Sequence, residues 1–255
     1  MSRVTGQGVV LAVALHGEKD RLVTLLCREK GRIRGLVKGR ARGVFQPLDG
    51  VQYAQFKRLP QQLGLLELDV VRSRAGLWLR GGTGLLLVNW LAELLMAVLP
   101  EELPYAGLVE DVERLLGAGV DEGLWRRVAR FELELLRMLG YGVQLADEAV
   151  PCESGTPLTY VSPRSGRAVS VAMGAPFADR LLTLPGLFGG PRQEVWQDCR
   201  DSLRLTGYFI HAGWPQVRLG ARARLVEALE QNLKQRKEEG AGHGECAETL
   251  ARDAA

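Results

Sequence analysis

Short apolar runs, either continuous or alternating with polar residues and separated by turn residues, dominate roughly the first 75 positions of the chain. Runs of this length and pattern are typical of β-strands. There are five of them: Val9–Leu15, Leu22–Cys27, Arg32–Lys38, Gly50–Phe56 and Leu63–Arg74. In the third run Ile33, Gly35 and Val37 alternate with Arg32, Arg34, Leu36 and Lys38, which predicts that the two sets point to opposite faces of the strand. Because the strands are short and joined by tight turns, the pattern predicts a small closed barrel such as an OB-fold.

The periodicity of the apolar positions changes after Gly81–Gly84, beyond which it becomes helical. Helices are predicted over Leu85–Leu99, Tyr105–Leu116, Glu122–Leu139, Gln193–Ala212 and Arg222–Asn232. The third of them carries Leu124, Val128, Phe131, Leu135 and Met138 at alternating spacings of four and three, which predicts one buried stripe. Gly140 follows that helix, and glycine commonly ends a helix at its C-terminal side.

Two further segments do not have a helical pattern. Pro157–Val161 and Arg167–Val171 flank the turn-rich Ser162–Gly166, which predicts a β-hairpin. Gly81–Gly84 lacks the Gly-Lys-Ser/Thr ending of a phosphate-binding loop, so we interpret it as a hinge between domains.

The predicted fold class is therefore α+β, with an N-terminal OB-fold barrel followed by a helical domain that contains a small β-hairpin. We place the barrel at residues 1–80 and the helical domain at 81–232, with the hairpin region at about 150–172. The tail at 233–255 is polar and contains several glycines, which predicts disorder.

The charge of the chain is distributed unevenly. Of 255 residues 46% are hydrophobic and 25% charged, as in globular proteins with a packed core, and the net charge is only +3. Residues 1–80 nevertheless hold 15 Lys and Arg against 6 Asp and Glu, a net +9. An anionic partner is therefore expected at the barrel.

The basic residues concentrate in the segment from Arg28 to Arg42, which has a net charge of +6. Its cations are Arg28, Lys30, Arg32, Arg34, Lys38, Arg40 and Arg42. Charge runs are most often solvated surface, but this one lies in a predicted small barrel, which favours binding of nucleic-acid phosphates. The aromatic residues nearby, Phe45, Tyr53 and Phe56, are expected in the core rather than stacked on bases, so little sequence preference is predicted.

The predicted helix Glu122–Leu139 carries a second set of candidate binding residues. Arg126 and Arg130 are one turn apart and can project from the same side. They could pair with nearby acids such as Glu134, or they could hold the carboxylates of an acidic peptide at the rim of an apolar groove.

No catalytic or metal-binding constellation is recognisable, and we expect neither an enzyme, nor a bound metal, nor a cofactor. The three histidines lie far apart, and the carboxylate pairs Glu101–Glu102 and Asp198/Asp201 give no sign of a shared cleft. The four cysteines form no Cys-x-x-Cys pair, and Met1–Gly8 lacks the pattern of a secretory signal. No apolar run reaches the ~20 residues of a membrane span, so a cytoplasmic protein without membrane contact is expected.

Several segments resemble the RecO family of recombination mediators. They are Gly17-Glu18-Lys19-Asp20-Arg21-Leu22-Val23-Thr24-Leu25-Leu26, Gly31–Arg42, Arg130-Phe131-Glu132-Leu133-Glu134-Leu135-Leu136, Leu139-Gly140-Tyr141-Gly142-Val143 and Tyr160–Ser170. The similarity spans residues 5–232 and depends on the combination of these motifs.

The resemblance implies an OB-fold, a helical domain and a function in recombinational DNA repair in the bacterial cytoplasm, at the nucleoid. Proteins of this family bind single- and double-stranded DNA and anneal complementary strands without ATP. They also engage the acidic C-terminal tail of single-strand binding protein and, with a RecR partner, help to load recombinase. The acidic tail contact would fall on Arg126 and Arg130.

The chain departs from the family pattern in two places. Many relatives have a zinc ribbon with four cysteines, whereas this chain retains only Cys152, with Ser154 nearby, so no zinc site is expected. Some relatives have two adjacent arginines where this chain has Ala129-Arg130. An OB-fold protein that binds structured RNA is the alternative hypothesis.

Overall fold

The computed structural model describes residues 2–39, 45–59, 61–74, 76, 82–119, 123–141, 143, 145 and 156–231. These residues belong to two compact units. One unit comprises Met1–Gly140 with Ile210–Arg222, and the other Tyr141–Phe209 with Ala223–Ala255. The predicted domain boundary at 80/81 and the predicted disordered tail lie outside the described residues.

The first unit begins with a closed five-stranded barrel. Its strands are β1 (Ser2–His16), β2 (Asp20–Cys27), β3 (Gly31–Val37), β4 (Gly50–Lys57) and β5 (Gly64–Arg72). They are hydrogen-bonded in the order β1-β2-β3-β5-β4, and β4 pairs with β1 to close the barrel. Every neighbouring pair is antiparallel except β3 and β5. The prediction of an OB-like barrel is confirmed.

The interior of the barrel is filled by side chains that alternate along the strands. The cluster consists of Val10, Val23, Leu25, Cys27, Ile33, Val37, Phe45, Val51, Tyr53, Leu66 and Leu68. Phe45 and Tyr53 are therefore core residues, as predicted. The prediction is wrong for Phe56, which is only partly buried and has the Arg3 guanidinium over its ring. Burial raises the pKa of both the Cys27 thiol and the Tyr53 phenol, which keeps these groups neutral inside the barrel.

Three helices follow the barrel in the same unit: α1 (Gly82–Val98), α2 (Leu108–Gly117) and α3 (Leu124–Met138). The interpretation of Gly81–Gly84 as a hinge is wrong for 82–84, which form the first turn of α1. Gly84 is buried there, and the apolar residues that follow it form the buried side of the helix. Helix α2 begins three residues later than predicted, because Gly107 at its N-terminal cap has a left-handed conformation with φ 81°.

Helix α1 packs against β1 on the outside of the barrel. Val9 and Leu26 are direct cross-strand partners whose neighbours Val10 and Leu25 point into the barrel. Val9 and Leu26 therefore point out of the barrel, and both are nevertheless fully buried. This face of the barrel is therefore a structural contact with protein.

A buried acid ties the helices together. The Glu132 carboxylate on α3 accepts a hydrogen bond from Trp90 Nε1 of α1 at 3.0 Å and two from the Arg222 guanidinium at 2.8 Å each. Burial by itself would lower the pKa of Arg222, but the Glu132 carboxylate more than offsets this and raises it. Glu93 of α1 accepts hydrogen bonds from the backbone N–H groups of Ala221 and Arg222.

The second unit contains a small sheet and several helical segments. Strands β6 (Leu158–Val161), β7 (Ala168–Ser170) and β8 (Leu182–Thr183) pair in the order β7-β6-β8. The predicted hairpin is confirmed as β6 and β7, and β8 was not predicted. The remaining segments are α4 (Val171–Gly174) and the 3-10 turns Ala175–Arg180 and Gly186–Phe188. Two longer helices, α5 (Val195–Gly213) and α6 (220–231), belong to this unit up to Phe209 and from Ala223 respectively, and their residues 210–213 and 220–222 belong to the first unit.

No helix in the described part of the chain is both long and apolar enough to cross a membrane.

Candidate nucleic-acid interface

The candidate interface is centred on β3, which displays its basic residues on the outside of the barrel. Ile33, Gly35 and Val37 are buried, whereas Arg34 is exposed and Arg32 is partly exposed. The alternation follows from the period of two in a strand, since successive side chains point to opposite faces. The predicted orientation of this strand is therefore confirmed.

Arg32 is held by the protein itself. Its Nε donates to the carbonyl oxygen of Leu99 at 3.0 Å, and its Nη1 lies 3.6 Å from Glu101 Oε1. Only 16% of its side chain is exposed, and this burial lowers its pKa while Glu101 acts in the opposite direction. The backbone N–H of Glu102 also donates to the Arg32 carbonyl at 2.8 Å. Arg32 therefore anchors the segment after α1 to β3.

Arg34 and Arg28 are more accessible, but each has a carboxylate partner. Arg34 Nε lies 2.5 Å from Glu101 Oε1, and 46% of its side chain is exposed. Arg28 Nε lies 2.9 Å from Glu110 Oε1 of α2, and 59% of its side chain is exposed. The acids that pair with this basic surface thus come from the segment after α1 and from α2.

Lys38 lies at the other end of β3. Its ammonium group is 2.9 Å from Asp20 Oδ2, and the backbone N–H of Gly39 donates to the same carboxylate at 3.0 Å. The hydrogen bond from Lys38 is the main reason why the pKa of Asp20 falls below its usual value. Since β3 has seven residues at ~3.3 Å each, Lys38 is about 20 Å from the turn that carries Arg28.

Two further groups complete the basic segment. Lys30 lies in the turn before β3 and has no carboxylate within ion-pair distance among the described residues. Arg40 and Arg42 lie outside the described residues. The structure thus brings Arg28, Lys30, Arg32 and Arg34 together along one half of β3 and separates Lys38 from them.

The second candidate pair lies on α3. Arg126 and Arg130 are both exposed, one turn apart, and neither has an ion-pair partner within the described ranges. The neighbouring Arg127 instead donates to the carbonyl of Gly119 at 2.8 Å, and Arg137 pairs with Glu134 at 2.6 Å. As far as the described residues go, both guanidinium groups are open to an acidic ligand.

The acids that face the barrel were not predicted from the sequence. Glu101 binds Arg32 and Arg34, Glu102 binds Lys57, Glu110 binds Arg28, and Glu113 binds Arg72 and Arg74. The only signal available was the net negative charge after residue 80, which says nothing about which acids meet which cations. Arg72 and Arg74 were missed as well, since they lie apart from the basic run.

The carboxylate pair Glu101–Glu102 is engaged with cations of the barrel and does not form an acid–base pair. The structure contains no group of three or more His, Cys, Asp or Glu side chains suited to a metal ion among the residues it describes. Cys152 and Ser154 lie outside those residues.

Comparisons with known proteins cover nearly the whole chain. The family described as "Recombination protein O N terminal" matches residues 1–74, and "Recombination protein O C terminal" matches residues 81–222. The DNA repair protein RecO of Paracoccus denitrificans (strain Pd 1222) is 38% identical over 88% of this chain and 95% of its own length. The RecO proteins of Rhodopseudomonas palustris (strain BisB18) and Ruegeria sp. (strain TM1040) are 40% and 35% identical, over 81% and 89% of this chain and 84% and 98% of their own lengths.

Proposed function

Because this chain belongs to the recombination protein O family, we propose that it is a DNA-binding mediator of recombinational repair that works without catalysis. It anneals complementary strands and helps to load recombinase onto single-stranded DNA coated with single-strand binding protein. The observation that carries the proposal is the outward basic surface of β3 and its flanking turns on a small barrel.

The exposed ion pairs of this surface are compatible with phosphate binding. An ion pair at a protein surface contributes only about 0–1 kcal/mol, so a phosphate can replace the carboxylate at little cost. We assign the phosphate contacts to Arg28, Lys30, Arg34 and Lys38, together with Arg40 and Arg42. Arg32 contributes its charge from a fixed position.

Annealing follows from the nature of these contacts. Two DNA strands repel each other through their phosphates, and neutralisation by lysine and arginine removes part of that repulsion. Contacts to phosphate carry no sequence information and leave the base edges free to pair. A surface that binds the backbone alone can therefore bring complementary strands together.

We assign binding of the acidic tail of single-strand binding protein to Arg126 and Arg130 on α3. Arginine holds carboxylates through paired hydrogen bonds, and both side chains are exposed on one side of the helix. A RecR-like partner and a place at the bacterial nucleoid belong to the same proposal, since these properties accompany the family resemblance.

The function is tested by annealing complementary oligonucleotides coated with single-strand binding protein, with and without its acidic terminus. We expect the protein to accelerate annealing of the coated strands, and to do so much less when the terminus is removed. An equal rate with and without the protein would refute the proposal. Tighter binding of a matched RNA than of DNA in a competition assay would favour the RNA-binding alternative.

The tail contact is tested with the double variant Arg126→Glu, Arg130→Glu. We expect weaker capture of a fluorescent acidic tail peptide, measured by anisotropy, with binding of naked DNA largely retained. The matched control is Arg164→Glu, Arg167→Glu, which reverses two exposed arginines beside the β6–β7 turn. Equal loss in both variants would mean that only net charge matters.

A further inference from the structure

A second basic feature of the first unit is a cleft of about 430 Å³ between the barrel and α2. Strands β1, β4 and β5 supply one wall, and Val109 and Glu113 of α2 supply the other. Its volume is in the range of small-ligand sites, which is enough for one nucleotide unit. Three arginines line it: Arg28, Arg72 and Arg74.

The three guanidinium groups differ in accessibility. The side chains of Arg28 and Arg72 are 59% and 66% exposed, so both can reach a ligand. Arg74 is only 3% exposed, and its Nη1 donates to the carbonyl oxygen of Leu48 at 2.9 Å. Its backbone N–H donates to Asp49 Oδ1 at 2.9 Å, so Arg74 is a fixed positive charge at the base of the cleft.

Each of the three arginines has a carboxylate beside it. Glu110 pairs with Arg28, and Glu113 is shared between Arg72 and Arg74. With the buried Asp49 beside Arg74, three carboxylates accompany the three cations, so a phosphodiester binds here by displacing Glu110 or Glu113 from an exposed arginine. The pairs of Arg28 and Arg72 are at the surface and are therefore weak competitors for a phosphate.

Glycine at position 50 lets the β4 backbone lie close to the arginines. A Cβ atom at Gly50 would lie 3.3 Å from Cβ of Arg72 and 3.8 Å from Nη1 of Arg74. Val71, which is 56% exposed, provides an apolar surface beside them for a sugar or a base.

We propose that this cleft is a phosphate-binding site for a nucleic-acid strand that adjoins the basic surface of β3 and shares Arg28 with it. Arg28 and Arg72 contact the phosphodiester, Arg74 supplies fixed positive charge, and Glu110 and Glu113 compete with the phosphate. The inference rests on the proposed DNA-binding function and assigns to it Arg72 and Arg74, which lie outside the basic segment.

The competition between acids and phosphate makes opposite predictions for two variants of the full-length chain. Arg72→Gln should weaken binding of a fluorescent oligothymidylate about fivefold at low salt and reduce the salt slope by about 0.7. Glu110→Gln frees Arg28 and should strengthen binding by a similar factor. The charge-matched controls are Arg180→Gln and Glu134→Gln, which alter exposed ion pairs elsewhere.

If Arg28 and Arg72 only hold α2 against the barrel, both cleft variants would lower the urea midpoint and neither would differ from its control in DNA affinity. That result would overturn the cleft site while leaving the proposed function in place, provided that wild-type protein binds the oligonucleotide. If wild-type protein fails to bind it at all, the proposed function fails and the cleft site with it.

Discussion

At the scale of single residues, two arginines on one strand have different tasks. Arg32 and Arg34 both point out of the barrel and both lie near Glu101. Arg32 is largely covered and also binds the carbonyl oxygen of Leu99, whereas Arg34 is half exposed. Both side chains lie on the same face of β3. They differ in exposure because the segment after α1 covers Arg32 and leaves Arg34 half exposed.

The substitution Arg32→Gln should lower the free energy of unfolding by about 1–3 kcal/mol, because the partly buried carbonyl of Leu99 loses its charged donor and Glu101 keeps only Arg34. Arg34→Gln should cost less than about 1 kcal/mol, as for an exposed ion pair. Urea denaturation measures both values. Equal losses in the two variants would contradict the assignment of Arg32 as the anchor of the segment after α1.

Loss of the Glu132 carboxylate should strongly lower the free energy of unfolding. Glu132→Gln leaves the Arg222 guanidinium largely buried without a countercharge, so the expected loss of stability is about 3–5 kcal/mol. Glu134→Gln, two residues away but exposed, should change stability by less than about 1 kcal/mol. Thermal and urea unfolding provide the measurement, and a stable Glu132→Gln variant would show that the pair is dispensable.

At the scale of elements, the turn between β2 and β3 depends on glycine for two reasons. Gly31 has φ 65°, a conformation that is costly for other residues. A Cβ at this position would also overlap the carbonyl oxygen of Leu103, which lies in the segment that docks on β3. The turn and the docked segment therefore constrain the same residue.

We expect Gly31→Ala to destabilise the protein by more than about 2 kcal/mol, since backbone strain and a steric clash add together. Gly107→Ala is the matched control, because Gly107 also has positive φ (81°) but no atom lies within 4 Å of the added Cβ. It should cost only about 1–2 kcal/mol. If the two urea midpoints shift equally, the docked segment does not restrict the turn.

At the scale of the whole molecule, the excess of positive charge in residues 1–80 is partly neutralised by acids from 101–113. These contacts occur within the first compact unit. A strand of DNA must therefore replace carboxylates as well as release its own counterions.

The affinity for single-stranded DNA should fall with salt, with a slope of log Kobs against log[salt] between about −2 and −5. The steeper value corresponds to seven phosphate contacts at about −0.7 each. Titrations of a fluorescent oligonucleotide over a range of salt concentrations give the slope. A slope near zero would mean that phosphate contacts do not dominate binding.

Local patterns in the sequence were sufficient to predict most of the elements. The alternation of Arg32–Lys38 predicted which side chains of β3 face the core. The predicted stripe from Leu124 to Met138 matches the buried side of α3 as far as Leu135, whereas Met138 is only partly buried. Gly140 has φ 78°, as its place after that helix suggested. These features depend on neighbours within a few residues, so they can be predicted from the sequence alone.

The tertiary structure alone decided which charges meet. Arg32 binds the Leu99 carbonyl 67 positions away, and Glu132 on the buried side of α3 is satisfied by Arg222, 90 positions away. The same holds for the cleft arginines and their partners on α2. Composition and spacing report how much charge a segment carries, but pairing depends on distance in space, which only the packed chain defines.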